Sequence, residues 1–248
     1  MKIVVIGGTG LIGSKVVTKL TAHGHEAVAA SPNTGVNTIT GEGLADALAG
    51  ASVVVDVSNS PSFADDDVMN FFVTSTNNLV AASTAAGVTH YVALTIVGSD
   101  HAPDSGYLRA KVAQEKLVRD SGLPYTLIHA TQFFEFARGI ADSATVDGVV
   151  TLPVGLVQPI AAEDVATAVA RAAAGSPVVG DVEIAGPEPL PLADFVATAL
   201  AAFGDPRTVV GSADARYFNT LLTGGELIPA PGQGTIYETS LADWLAQQ

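Results

Sequence analysis

The feature that most constrains this chain is its opening stretch, Lys2-Ile-Val-Val-Ile-Gly-Gly-Thr-Gly-Leu-Ile-Gly13. The apolar run at residues 3–6 reads as a buried parallel strand. Glycines at 7, 8, 10 and 13 follow it, and a helical pattern starts at once, with Leu11, Ile12, Val16, Val17 and Leu20 as its apolar face and Gly24 as its stop. Residues 26–30 supply a second strand. Each glycine has a physical task in such a strand–helix–strand unit. Gly7 permits the tight turn off the strand, Gly10 lets a pyrophosphate approach the backbone, and Gly13 lets the helix pack closely. Unpaired N–H groups at the helix start then face the phosphates. Both Gly8-x-Gly10-x-x-Gly13 and Gly7-x-x-Gly10-x-x-Gly13 fit dinucleotide fingerprints. The cofactor contacts expected from this stretch are Gly7, Thr9, Gly10, Leu11, Ile12 and Gly13.

Bulk properties narrow the class. A 248-residue chain that is 48% hydrophobic and only 15% charged carries ample core for one large α/β domain with a small appendage. A net charge of −14 repels nucleic acid and anionic lipid alike. The absence of cysteine excludes disulfides, thiolate metal sites and a cysteine nucleophile. The five histidines have no ligand spacing, so no metal is expected. One lysine and a short apolar run do not make a signal peptide, and no stretch reaches transmembrane length. The expectation is a soluble, cytoplasmic protein acting on a small molecule, with neither nucleic-acid nor membrane partners; oligomerisation is left open.

Strands alternate with helices along the chain, which implies a doubly wound parallel sheet of Rossmann type. Strands are expected at residues 53–57, 90–95 and 125–130, with helices at 43–48, 64–86 and 107–119. The expected division is a nucleotide-binding domain at 1–152 and a smaller C-terminal region at 153–248, partly returned to the main sheet and covering the substrate side. In that later part strands are read at 148–152, 157–160, 181–185 and 208–210, and helices at 161–174, 192–203 and 241–246. The end of the second strand, Ala29-Ala-Ser-Pro-Asn33, lacks the carboxylate that binds an NAD ribose. Ser31 and Asn33 stand there as donors, and Lys15 could reach round from the first helix, so NADP is expected with NAD as second choice. Val57 and Ser58, at the carboxyl edge of the third strand, complete the expected cofactor contacts.

Tyr107 and Lys111 are four apart on one helix and share a face. An ammonium near a phenol lowers its pKa from about 10 and makes it a usable acid. Thr95, ending the preceding strand, offers a hydroxyl to a substrate carbonyl. With a nicotinamide at the same edge this is a hydride-transfer site. Phe133, Phe134 and Phe136 follow the strand at 125–130. The first two are expected to wall an apolar substrate pocket, while His129 is expected to be buried structure.

Together these residues resemble the short-chain dehydrogenase/reductase superfamily in its atypical, NmrA-like branch. The resemblance is carried by Gly7-Gly-Thr-Gly-Leu-Ile-Gly13, Val92-Ala-Leu-Thr95 with Gly98, Tyr107-x-Arg-Ala-Lys111, and Ser121-Gly-Leu-Pro-Tyr-Thr126 leading to Thr131-Gln-Phe-Phe-Glu135. It spans roughly residues 1–175 and implies a Rossmann fold, NAD(P) and a Ser/Thr–Tyr–Lys triad. On that implication Thr95 orients the carbonyl, Tyr107 transfers the proton, and Lys111 binds the nicotinamide ribose and tunes Tyr107. Threonine stands where serine is usual, and no asparagine plainly fills the fourth catalytic role; Asn77 and Asn78 lie on a helix. The implied function is NAD(P)H-dependent reduction of a small apolar carbonyl or quinone. The alternatives are a non-catalytic NADP-binding redox sensor and a nucleotide-sugar epimerase-like enzyme.

Overall fold

A computed structural model describes all 248 residues. β1 (Lys2–Ile6), α1 (Leu11–Ala22), β2 (Glu26–Ala30), α2 (Leu44–Leu48), β3 (Val53–Asp56), α3 (Asp65–Ala86), β4 (His90–Ile96), α4 (Gly106–Asp120) and β5 (Tyr125–Ala130) follow in order. The central sheet has seven parallel strands: β2, β1, β3, β4, β5, then Gly180–Ala185 and Thr235–Ile236. The expected doubly wound α/β architecture is therefore present. Its central strands read as unbroken apolar runs because helices cover both faces, so alternation would leave polar groups buried. All four residues of β3 are buried. No helix is long and apolar enough to cross a membrane.

The chain forms two compact units that interleave along the sequence. The first comprises residues 1–95, 106–129 and 165–182; the second comprises 96–105, 130–164 and 183–248. The expected division at residue 152 is thus not how the compact units run. The helix Ala162–Ala174 and the strand Gly180–Ala185 each straddle a changeover.

In the first unit a core gathers Val4, Ile6, Leu44, Leu48, Val54, Leu79, Tyr91 and Leu127 from strands and helices alike. In α1 the buried stripe is Ile12, Gly13, Val16 and Leu20, while Leu11 is 40% exposed. The apolar face is narrower than the sequence suggests, because Leu11 opens the helix on its outer side. Gly24 at φ +81° ends the helix region as expected.

In the second unit Phe134, Phe195 and Trp244 make an aromatic core. The strand expected at 157–160 shrinks to Leu156–Val157, and Ile160 forms only an isolated bridge to Phe133. Pro159 interrupts that run and has no N–H to give a ladder.

Candidate nucleotide and proton-transfer site

The glycine turn is built as its spacing requires. Gly7 has φ +76°, which costs an L-residue strain, and its N–H donates to the Ala30 carbonyl at 2.9 Å. Gly10 N–H returns to the Gly7 carbonyl at 2.9 Å and closes the turn. The glycines then divide by what confines them. A Cβ on Gly13 would lie well inside contact distance of the Gly7 carbonyl, and one on Gly8 would lie 2.6 Å from Ala29 Cα. A Cβ on Gly10 would meet nothing nearer than the Gly7 oxygen at 3.3 Å. Protein packing therefore dictates glycine at 8 and 13, whereas at 10 the missing Cβ keeps space clear outside the turn. That space lies at the start of the twelve-residue α1, which carries no acidic residue in its first turn. Its leading N–H groups lack intrahelical partners and suit a phosphate.

The chain leaving β3 runs beneath this turn. A Cβ on Gly7 would come within 2.9 Å of the Val57 carbonyl and 3.0 Å of Ser58. Val57 N–H donates to Ile6 O, and Ser58 donates from both N and Oγ to Asp56 Oδ1, at 3.1 and 2.6 Å. At the end of β2, Ser31 is buried and its Oγ has no hydrogen-bond partner. Asn33 is exposed two residues on, and no carboxylate stands between 29 and 33. A cleared turn, a helix N-terminus and an orphaned hydroxyl at the neighbouring strand end together fit an adenine dinucleotide. Gly7, Thr9–Gly13, Ser31, Asn33, Val57 and Ser58 would hold it.

Tyr107, the proton donor expected from the sequence, sits where α3 and α4 begin. Gly106 lies so close to Asp65 that a side chain there would overlap the carboxylate, and Arg109 Nη2 bonds Asp65 Oδ2 at 2.9 Å. These contacts place the first turn of α4, and with it Tyr107. The Tyr107 ring is half-buried against Phe72 and Phe63, at 6.1 and 5.3 Å between centroids. Its hydroxyl donates to Asn59 Oδ1 at 3.1 Å. Burial pushes the phenol up to about 12, opposed in part by the bond to Asn59.

Lys111 departs from the expected pairing. Its side chain is buried, with Nζ donating to the Leu94 carbonyl at 2.9 Å and to Gln114 Oε1, and lying 4.4 Å from the Phe72 ring centroid. Burial lowers its pKa to about 8, against the pull of Asp56 and Glu115. Its ammonium is held by the Leu94 carbonyl and Gln114, while burial and the bond to Asn59 set the Tyr107 phenol. Sharing a helix face does not make two tips meet, and here the lysine stem turns inward toward buried carboxylates. Thr95 departs likewise. It is buried and donates from Oγ1 to Glu115 Oε1 at 2.5 Å.

A buried polar network missed in the sequence explains both. Asp56 Oδ2 accepts from Gln114 Nε2 at 2.9 Å and from the Tyr91 hydroxyl at 3.3 Å. Glu115 Oε2 pairs with Arg119 at 3.2 Å, and Arg119 reaches Asp181 at 2.9 Å. One signal was available: Asp56 is the sole charge in an otherwise apolar strand, and Gln114 and Glu115 fall at i+3 and i+4 from Lys111. His129 is buried between Glu115 and Asp181, 3.8 Å from each. Asn78 is structural: its Nδ2 holds the carbonyls of Thr38 and Ile39 at 2.8 and 3.0 Å. Asn59 and Phe63, in the loop between β3 and α3, were not singled out.

Phe134 requires a correction. It is 2% exposed and packs on Phe195 and Trp244, so it is core of the second unit and not pocket wall. Phe133 is 9% exposed and stacks on the exposed Phe136 at 5.1 Å.

Residues 7–175 match the family model described as NAD(P)H-binding, and the chain belongs to that family. This agrees with the resemblance to NmrA-like short-chain reductases. A (4-alkanoyl-5-oxo-2,5-dihydrofuran-3-yl)methyl phosphate reductase of Streptomyces griseus subsp. griseus is 28% identical over 223 residues, covering 82% of this chain and 74% of its own. Among solved structures, MoeE5 in complex with UDP-glucuronic acid and NAD superposes with a TM-score of 0.77 at 18% identity, covering 100% of this chain and 97% of that one. The NADPH-dependent quinone oxidoreductase QOR2 of Escherichia coli, complexed with NADPH, superposes with a TM-score of 0.67 at 22% identity, covering 86% of this chain and 78% of that one. At such identities these two structures bear on the fold alone. The protein is thus an NAD(P)H-binding Rossmann protein.

Proposed function

We propose that this protein is an NAD(P)H-dependent reductase of small apolar carbonyl or quinone compounds, with Tyr107 as proton donor. One observation carries the reading. Asn59, which accepts the Tyr107 hydroxyl, is the residue after Ser58, and Ser58 lies beneath the glycine turn. One short loop thereby joins the nucleotide turn to the only tyrosine on α4. The bound reduced nicotinamide would supply a hydride. Tyr107, protonated throughout the neutral range, would supply the proton to the carbonyl oxygen and recover one from water. Phe63 is 54% exposed beside that phenol, an apolar wall suited to a planar or apolar substrate. The reductase name of the Streptomyces relative supports the same class. The missing carboxylate at residues 29–33 and the orphaned Ser31 hydroxyl favour NADP over NAD.

A non-catalytic NADP-binding sensor is the second reading. It is favoured by the burial that pushes the Tyr107 phenol up to about 12, and by the hold of the Leu94 carbonyl and Gln114 on Lys111. NADPH oxidation against a panel of aldehydes, ketones and quinones separates the two. The reductase reading expects turnover that falls about 10² to 10⁴-fold in Tyr107→Phe, the usual worth of a positioned acid. No turnover across the panel, with nucleotide binding intact, rejects it.

A further inference from the structure

We propose that Asn59 is the group that polarises the substrate carbonyl, donating from Nδ2 the hydrogen bond for which the sequence nominates Thr95. The inference rests on the reductase reading and deepens it.

Polarising a carbonyl requires a donor. A threonine hydroxyl has one proton, and that of Thr95 is directed at Glu115 Oε1 across 2.5 Å in a position only 3% exposed. What remains on Thr95 Oγ1 is acceptor capacity, which a carbonyl oxygen cannot use. Asn59 has the opposite disposition. Its Oδ1 receives the Tyr107 hydroxyl at 3.1 Å and the Ser60 N–H at 3.0 Å. A backbone N–H can only donate, so it fixes which end of the amide is oxygen. The amide nitrogen, with two N–H groups, points away from both and has no acceptor in the protein. The side chain is exposed, so a ligand can reach it.

A carbonyl oxygen beside the Tyr107 hydroxyl therefore meets a second donor from the same hydrogen-bonded pair. As hydride arrives at the carbonyl carbon, the π-bond pair moves to oxygen. The Tyr107 hydroxyl swings from Asn59 Oδ1 to that oxygen and transfers its proton. Asn59 Nδ2 holds its hydrogen bond throughout and loses no proton. The tyrosinate is reprotonated by water. The contribution is that of an oxyanion-hole donor, strongest once charge has developed on oxygen.

The test compares the parent with Asn59→Ala, Asn59→Asp and Thr95→Val in NADPH oxidation, using benzaldehyde and cyclohexanone, alongside nucleotide affinity and melting temperature. Asn59→Asp is the decisive variant. It keeps an acceptor for Tyr107 and for Ser60 N–H but has no donor, and its charge can only keep the phenol protonated. The expected result is a fall in kcat of about 10² to 10³ in both Asn59 variants, the loss typical of one oxyanion donor, with nucleotide affinity unchanged. Thr95→Val should stay within a few-fold of the parent. Parent-like turnover in Asn59→Asp overturns the proposal. So does loss confined to Thr95→Val, which would leave the reductase reading standing. A matching loss of nucleotide affinity in Asn59→Ala would instead place the residue in the nucleotide site, and also overturns it. A parent inert toward both probes and the wider panel rejects the reductase reading and this role together. Asn59 is at the surface, so its variants decide the matter even if Thr95→Val fails to fold.

Discussion

Gln114 Nε2 donates to Asp56 Oδ2 across 2.9 Å, joining the last residue of β3 to the middle of α4. The same glutamine accepts from Lys111, so one amide bridges a buried carboxylate and a buried ammonium. Truncating it should leave both charges short of a partner. Gln114→Ala is expected to destabilise the fold by about 2–4 kcal/mol, as breaking buried charged networks does. Denaturant unfolding measures this, and a change below about 0.5 kcal/mol would show that water replaces the amide.

Lys111 makes stability depend on pH. Its folded pKa is about 8, below the ordinary 10.5 of the unfolded chain. Between those values the unfolded state binds more protons, so stability rises with pH. Below about 8 the cost of burying the charge is fully present. The melting temperature of the parent relative to Lys111→Met is therefore expected to climb from pH 8 toward 10. A flat difference would mean that Lys111 keeps its ordinary pKa.

Tyr107 should be a proton donor without a neutral-range limb. With its phenol near 12, carbonyl reduction should not fall through Tyr107 ionisation up to about pH 10. A falling limb between pH 7 and 9 in kcat that vanishes in Lys111→Met would show that nucleotide binding swings the ammonium toward the phenol.

The glycine turn separates folding from binding. Gly13→Ala forces a Cβ into the Gly7 carbonyl and should cost about 1–3 kcal/mol of stability, the range for overpacking. Gly10→Val should melt close to the parent yet lose nucleotide affinity. Normal affinity in Gly10→Val would place the dinucleotide elsewhere.

Cofactor preference turns on the end of β2. NADPH is expected to bind more tightly than NADH by calorimetry, and Ser31→Asp is expected to reverse the order by repelling the 2′-phosphate. NADH binding equal or better in the parent would reject it.

The fold was legible in advance because its signals are local. β-branched runs bounded by glycine mark buried strands, and β5 falls at the residues expected for it. The glycine turn was legible for the same reason: four residues within one turn encode it. The candidate proton-transfer site was only half legible. Spacing placed Tyr107 and Lys111 on one face of α4, but where the lysine tip goes depends on Asp56, 55 positions earlier, which no helical period reports. Asn59 was invisible similarly, since its meaning lies in a partner 48 residues away. Phe134 misled because its neighbours suggested an aromatic wall, whereas burial against Phe195 and Trp244 is a property of the folded second unit. Short-range pattern writes the scaffold, and long-range pairing writes the chemistry.

The parallel pairing of Thr235–Ile236 with Ile184–Ala185 bears on synthesis at the ribosome. Residues 186–234 must be made before the strand Gly180–Ala185 gains that neighbour. During this interval its outer edge presents unpaired N–H and C=O groups, which recruit stray strands. At ordinary translation speeds of about 5–20 residues per second the exposure lasts seconds. The nascent chain is therefore most prone to aggregate late in elongation, and a ribosomal pause within that span would prolong its dependence on chaperones.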